Sequence, residues 1–237
     1  MTQPRSSLLT KNWTNVSLAA SGLAIVILLI VGLLAYTSRE TPAYESNFTA
    51  KVPDRPLRVS VIGDSYSAGN AQNAVKWPDL FAKKRGWYLN NVAESGTGYV
   101  ATDQKFYSRA RYALETDPDV ILIVGGFENR AFPPGMVQSE ALKLYEVLKL
   151  KAPGSQIFVI GPISDSTAPD PNLVAAASAI RTATEIAGLT YTDTLSANWL
   201  RDSNLVQEDR SIPTDAGMRT LAEAVDSAVP QIPPGNS

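Results

Sequence analysis

The sequence contains no histidine and no cysteine. Without cysteine there is no disulfide framework, no thiolate nucleophile and no lipid-modified cysteine anchor. Without histidine, a zinc or copper site would have to be assembled from carboxylates alone, which those ions disfavour. The spacing of Asp, Asn and Gly does not match a calcium-binding EF-hand loop either, so no cofactor is expected. An excess of positive charge is also lacking. Lys and Arg number 21 against 23 Asp and Glu, a formal net charge of -2. That leaves no basic surface to neutralise phosphates, so nucleic acid is not an expected partner.

What is present at the N-terminus is a long uncharged run, LAASGLAIVILLIVGLLAY, from Leu18 to Tyr36. At about 1.5 Å of rise per helical residue it nearly spans a hydrocarbon core of roughly 30 Å. Arg5 and Lys11 precede it without acidic residues, and Arg39, Glu40 and Glu45 follow it. The positive-inside bias therefore keeps the N-terminus in the cytoplasm and places the remainder outside. A cleaved signal peptide would need a shorter apolar stretch ending in small residues; Ala35-Tyr36-Thr37 offers a tyrosine there, which favours an uncleaved anchor. The expected organisation is a cytoplasmic tail (1–17), a transmembrane signal anchor (18–36), a polar linker (37–55), one domain (56–229) and a C-terminal tail (230–237) in a cell membrane.

Within the domain, strand-like and helix-like segments alternate. Leu57–Ile62, Asp119–Val124 and Ile157–Ile160 are apolar and β-branched, as strands covered on both faces should be, and Trp87–Val92 and Leu189–Asp193 are weaker candidates. Helical patterns are read over Ala74–Lys84, Lys105–Glu115, Met136–Lys151, Leu173–Ala187 and Asp215–Val229. Pro134, Gly188 and Thr214 sit where helix starts and stops need them. Alternation of this kind predicts an α/β fold, a doubly wound parallel five-stranded sheet with its site beyond the carboxyl ends of the strands. Trp77, Trp87 and Trp199 are read as packing residues.

Four segments then come into focus: Gly63-Asp64-Ser65 after the first strand, Glu94-Ser95-Gly96 after the second, Gly126-Phe127-Glu128-Asn129 after the third, and Asp209-Arg210-Ser211-Ile212-Pro213-Thr214 before the last helix. From about Pro56 to Val229, the chain resembles the SGNH, or GDSL-type, esterase and lipase superfamily. The resemblance implies a flavodoxin-like fold, with Ser65 as nucleophile and the backbone N–H groups of Ser65 and Gly96 as oxyanion donors. Asn129 would be the side-chain donor, although an ungapped match puts Glu128 in the asparagine position. The late block of the family reads Asp-x-x-His-Pro-Thr. Here Asp209, Pro213, Thr214 and Gly217 fit, and Ile212 stands in the position of the base.

A serine hydroxyl is a weak nucleophile unless a neighbouring group takes its proton. Imidazole does this well because its pKa lies near 6.5, and isoleucine cannot do it at all. In a well-studied serine protease, removing the base costs on the order of 10⁶ in turnover and leaves roughly 10³–10⁴ over water. Glu128 is a possible alternative base if a dry pocket raises its pKa, although an ionised Glu128 would oppose an oxyanion. Asp209 is the other, an ordinary carboxylate being a poor base at neutral pH. The expected activity is an impaired ester hydrolase acting on a small-molecule, glycan or lipid acyl ester of the cell envelope. Two alternatives remain: a non-catalytic ligand-binding or scaffold domain, and an active esterase using Glu128 or Asp209. Oligomeric state is not set by the sequence.

Overall fold

The computed structural model describes residues 55–100, 105–165, 168–208 and 212–232, all within one compact unit, Ala50–Ser237. The expected tail, the 18–36 anchor and all of the linker but Arg55 lie outside the described residues. Among the described residues no helix is long and apolar enough to cross a membrane.

Five strands, β1 (Arg58–Gly63), β2 (Tyr88–Asn91), β3 (Val120–Val124), β4 (Gln156–Ile160) and β5 (Thr190–Thr192), form one parallel sheet in the order β2-β1-β3-β4-β5. The central strand β3 is buried at every position. Side chains alternate across a strand, so its odd and even residues serve two cores. Val120, Leu122 and Val124 join one apolar cluster, while Ile121 and Ile123 join the other. The first cluster is covered by α2 (Trp77–Arg85) and α7 (Asp215–Ala228). The second is covered by α3 (Phe106–Leu114), α4 (Pro134–Lys151) and α5 (Pro171–Ile186), and a short helix α6 (Thr194–Ala197) follows β5. Helices on both faces make the sheet doubly wound, as the uninterrupted apolar strands predict. Edge strands β2 and β5 are shorter and only half-buried, which explains their weak signal in the sequence.

The chain leaves β1, adds β2 on one side, and then crosses to place β3 on the other side of β1. This reversal opens a crevice between the carboxyl ends of β1 and β3, where Gly63 pairs in register with Val124. Trp77 is fully buried in the first core, and Trp87 and Trp199 pack against it, as expected of packing residues.

Most helix boundaries follow the local signals. Pro134 and Pro171 open α4 and α5 two residues ahead of the predicted starts, since proline suits a first helical turn. Gly188 follows α5 in a left-handed conformation, and its N–H donates to the Glu185 carbonyl oxygen. Helix α2 begins at Trp77 rather than at Ala74. The residues before it are diverted, because the N–H groups of Ala74 and Val75 donate to Asp215 Oδ1 at 3.0 and 3.4 Å. Asp215 is the first residue of α7, so this diversion ties the segment following the first strand-end loop to the last helix.

The start of α7 is set by close packing. Thr214 caps it, with Oγ1 accepting from Gly217 N at 3.2 Å. The helix abuts the 3-10 turn Ser203–Leu205 so tightly that a Cβ at Gly217 would overlap the Leu205 carbonyl oxygen. Backbone cannot retreat as a flexible side chain could. Gly217→Ala is therefore expected to destabilise the domain by about 1–3 kcal/mol, the usual cost of overpacking. Thermal unfolding followed by circular dichroism should show a fall of several degrees; an unchanged midpoint would remove close packing as the reason for glycine here.

Candidate active site

The strand-end loops meet around one buried carboxylate. Asp64 follows β1 and caps the short helix α1 (Ser65–Ala68), its Oδ1 accepting from Tyr66 N at 3.1 Å. Its Oδ2 reaches across the crevice and accepts from Gly126 N at 2.9 Å and Phe127 N at 3.3 Å. The side chain fits only because residue 125 is glycine: a Cβ there would overlap the carboxylate, and the backbone φ is +115°. Asp64 is 2% exposed. Burial pushes its carboxyl up, against the pull of the three N–H donors and with help from the charge of Glu128, to about 6.

This anchorage sets the position of Ser65, the first residue of α1 and only half-buried. Being first in the helix, its own N–H has no intrahelical acceptor and is free to serve a ligand. Ser65 Oγ accepts from the N–H of Gly96 at 3.3 Å, the only hydrogen bond to that oxygen among the described residues. Gly96 lies on an exposed turn at φ +75°. The turn is itself stapled to the end of β1: Glu94 N donates to Gly63 O at 3.0 Å, and the buried Thr97 Oγ1 donates to the same oxygen at 3.0 Å. The structure thus brings Ser65 and Gly96 together.

Asn129 lies in the 3-10 turn Phe127–Ala131 that follows β3, and it is fully buried. Its Oδ1 accepts from Val100 N at 2.9 Å and its Nδ2 donates to Gly126 O at 3.0 Å. The amide therefore clamps the Gly96 loop to the β3 loop. Glu128, one residue earlier, is half-exposed and contributes its negative charge near Asp64. Of the two candidates for the third position, Asn129 is buried with its amide bonded to Val100 and Gly126, and Glu128 is half-exposed.

The last block also reaches the site. Ile212 is buried, and its carbonyl oxygen accepts from Gln207 N at 3.0 Å beside an antiparallel bridge between Val206 and Pro213. Asn73 Nδ2 donates to Pro213 O at 3.0 Å, and Asn70 Nδ2 donates to Gln207 Oε1 at 3.4 Å. These bonds tie the block to the chain just after Ser65. Asp209 lies outside the described residues.

Two further features belong to the site. One is the Asp64 side chain, whose signal was a helix-capping aspartate directly after a strand. The other is the cluster of Tyr66, Phe127 and Arg130. The Tyr66 and Phe127 rings lie 6.1 Å apart, and the Arg130 guanidinium carbon sits 3.8 Å from the centre of the Phe127 ring. Nothing in their sequence spacing brings Tyr66 and Phe127 together.

Comparison with known proteins bears on the family and the fold. A family model described as the GDSL-like lipase/acylhydrolase family matches residues 61–220. Among solved structures, the fold is shared with TesA at a TM-score of 0.63 and 17% identity, covering 73% of this chain and 97% of that one. A lipase/acylhydrolase from Enterococcus faecalis aligns at 0.60 and 14% identity, covering 72% and 94%. A psychrotrophic esterase, EstA, from a Pseudoalteromonas species aligns at 0.60 and 18% identity, covering 73% and 96%. No curated protein matches the sequence.

The buried carboxylate has a measurable signature. Its pKa is raised from 3.8 to about 6 in the folded state, so the folded chain holds this proton more tightly than the unfolded one. The stability that this group contributes is fully present below pH 4 and is lost as pH rises to about 6, a change of about 3 kcal/mol. Denaturant unfolding across this window should show that the stability difference between the wild type and Asp64→Asn depends on pH in this direction. A difference independent of pH would show that Asp64 titrates as an ordinary carboxylate.

Proposed function

The chain belongs to the GDSL-like lipase/acylhydrolase family, and on that premise we propose that it is an ester hydrolase or acyl-transfer homologue whose turnover is slowed by the absence of an imidazole base. The observation that carries this reading is the Gly96 N–H pointing at Ser65 Oγ, 3.3 Å away, in a chain without histidine. Ser65 is the nucleophile, the N–H groups of Ser65 and Gly96 are the oxyanion donors, and the buried Asn129 holds the Gly96 loop in place. Ile212 fills the position of the missing base, and Asp209 is the residue that would have oriented it.

In this site Ser65 Oγ attacks the ester carbonyl and forms the acyl–oxygen bond while its proton passes to water. The alcohol departs with a proton, and a water molecule then hydrolyses the acyl-serine. The donors stabilise charge developing on the carbonyl oxygen, but proton abstraction has no tuned acceptor. By analogy with base-deleted serine proteases, roughly 10³–10⁴ of acceleration over water remains from the oxyanion hole and binding. Envelope acyl esters on glycans or lipids are the proposed substrates, in keeping with the apolar run at 18–36 acting as an anchor and with an extracytoplasmic domain.

A second reading is favoured by the burial of Ile212: an apolar side chain filling the base position suits a domain that binds an ester ligand without turning it over. Hydrolysis of 4-nitrophenyl acetate by the full-length chain separates the two. Ser65→Ala is expected to abolish the activity; equal rates in mutant and wild type would leave only the binding domain. Ile212→His is expected to raise kcat/KM at least a hundredfold, with an inflection near pH 6.5. No gain in that variant would show that the missing imidazole is not what limits the rate.

A further inference from the structure

Charged side chains taken partly out of water are normally paired. The half-buried arginines of this domain obey the rule with one exception. Arg55 pairs with Asp119 at 2.7 Å, Arg58 with Asp117 at 3.7 Å, Arg109 with Glu94 at 2.7 Å, and Arg85 with Asp226. Arg130 is equally half-buried and has no carboxylate partner among the described residues. Arg111, Arg201 and Arg219 also lack one, but they are exposed to water and need none.

Arg130 is held firmly in spite of this. Its guanidinium carbon lies over the Phe127 ring, 3.8 Å from the centre, and Nη1 donates to the Phe127 carbonyl oxygen at 3.0 Å. These are its only contacts of this kind among the described residues, so the rest of the planar donor fork is unoccupied. Stacking and one backbone bond fix the rotamer in advance, which removes the ordering cost that a free arginine would incur on binding an anion. Phe127 in turn packs against Tyr66, the neighbour of Ser65. The same turn sends Gly126 and Phe127 N–H groups to Asp64 and the Asn129 amide to Val100. The cation is thus rigidly coupled to the loop that carries the nucleophile, at the carboxyl end of the sheet.

We propose that Arg130 is the specificity-determining residue of this site, binding a carboxylate or phosphate group carried by the ester substrate. The guanidinium fork matches either anion in a bidentate manner. The inference rests on the reading of Ser65 as an ester-cleaving nucleophile, but anion binding can be measured without turnover.

Ligand-observed NMR with the full-length chain would compare monomethyl succinate and glycerol 3-phosphate with neutral dimethyl succinate. The expected result is binding of at least one anion and not of the diester. That binding should weaken at least tenfold in Arg130→Gln and less in Arg130→Lys, which keeps the charge but loses the fork. Turnover would be read with 4-nitrophenyl half-esters of dicarboxylic acids from succinate to suberate, against neutral alkanoates of matching length. Wild type should prefer the charged series in kcat/KM at least tenfold, mainly through KM, and the preference should collapse towards unity in Arg130→Gln. Preference for the half-esters places the anion on the acyl side, and binding of glycerol 3-phosphate alone places it on the alcohol side; both outcomes support the proposal. Ser65-dependent turnover with no charge preference and no anion binding would overturn it while leaving the hydrolase reading intact. Loss of anion binding in Arg130→Gln without any Ser65-dependent turnover would do the reverse.

Discussion

The carboxylate of Asp64 accepts N–H donors from residues on both sides of the crevice, and the relative placement of the Ser65 loop and the loop after β3 depends on it. Tyr66 N fixes it to the nucleophile loop, and Gly126 and Phe127 N fix it to the loop after β3. Its burial is unfavourable for the charge, as the rise of its pKa to about 6 shows. Three N–H donors offset part of that cost and keep it mostly ionised at neutral pH. Two strand-end loops are thereby locked into one rigid unit, to which Asn129 adds the Gly96 loop. Preorganised donors of this kind are useful because they need not reorient while charge develops on a substrate.

Set against that rigid cradle is a chain with no imidazole. The donor side is ordered down to the 3.3 Å approach of Gly96 N to Ser65 Oγ. Ile212, in the block before the last helix, is buried. Electrostatic stabilisation and proton transfer are separable contributions to catalysis, and the proposed function rests on that separation. Arg130 fits the same picture, because recognition of a substrate anion requires fixed geometry and charge but no proton acceptor.

Much of the fold was legible from patterns local to each element. The apolar runs of β1, β3 and β4, the proline at 134, the glycine at 188 and the threonine at 214 each act within a few residues, so their signals survive in one dimension. Where the reading slipped, the cause was distant. Helix α2 starts late because Ala74 and Val75 bond to Asp215. Gly217 is required by the carbonyl of Leu205 rather than by its own helix. The site shows the same division. The Ser65 and Gly96 loops carry recognisable motifs, whereas the burial of Asn129 and the partial exposure of Glu128 follow from the packing of the turn after β3.

What the sequence determined by itself was inventory and order: no histidine or cysteine, a serine directly after a strand, and strands alternating with helices. These follow from composition and from periodicities that any short window reveals. What only the tertiary structure decided was coincidence in space. Asp64 and Gly126 are separated by 62 positions, and Tyr66 meets Phe127 only because β1 and β3 lie side by side. Hydrogen-bond partners, burial and the lack of a carboxylate beside Arg130 among the described residues depend on neighbours that the chain supplies by folding back on itself, and no local pattern encodes them.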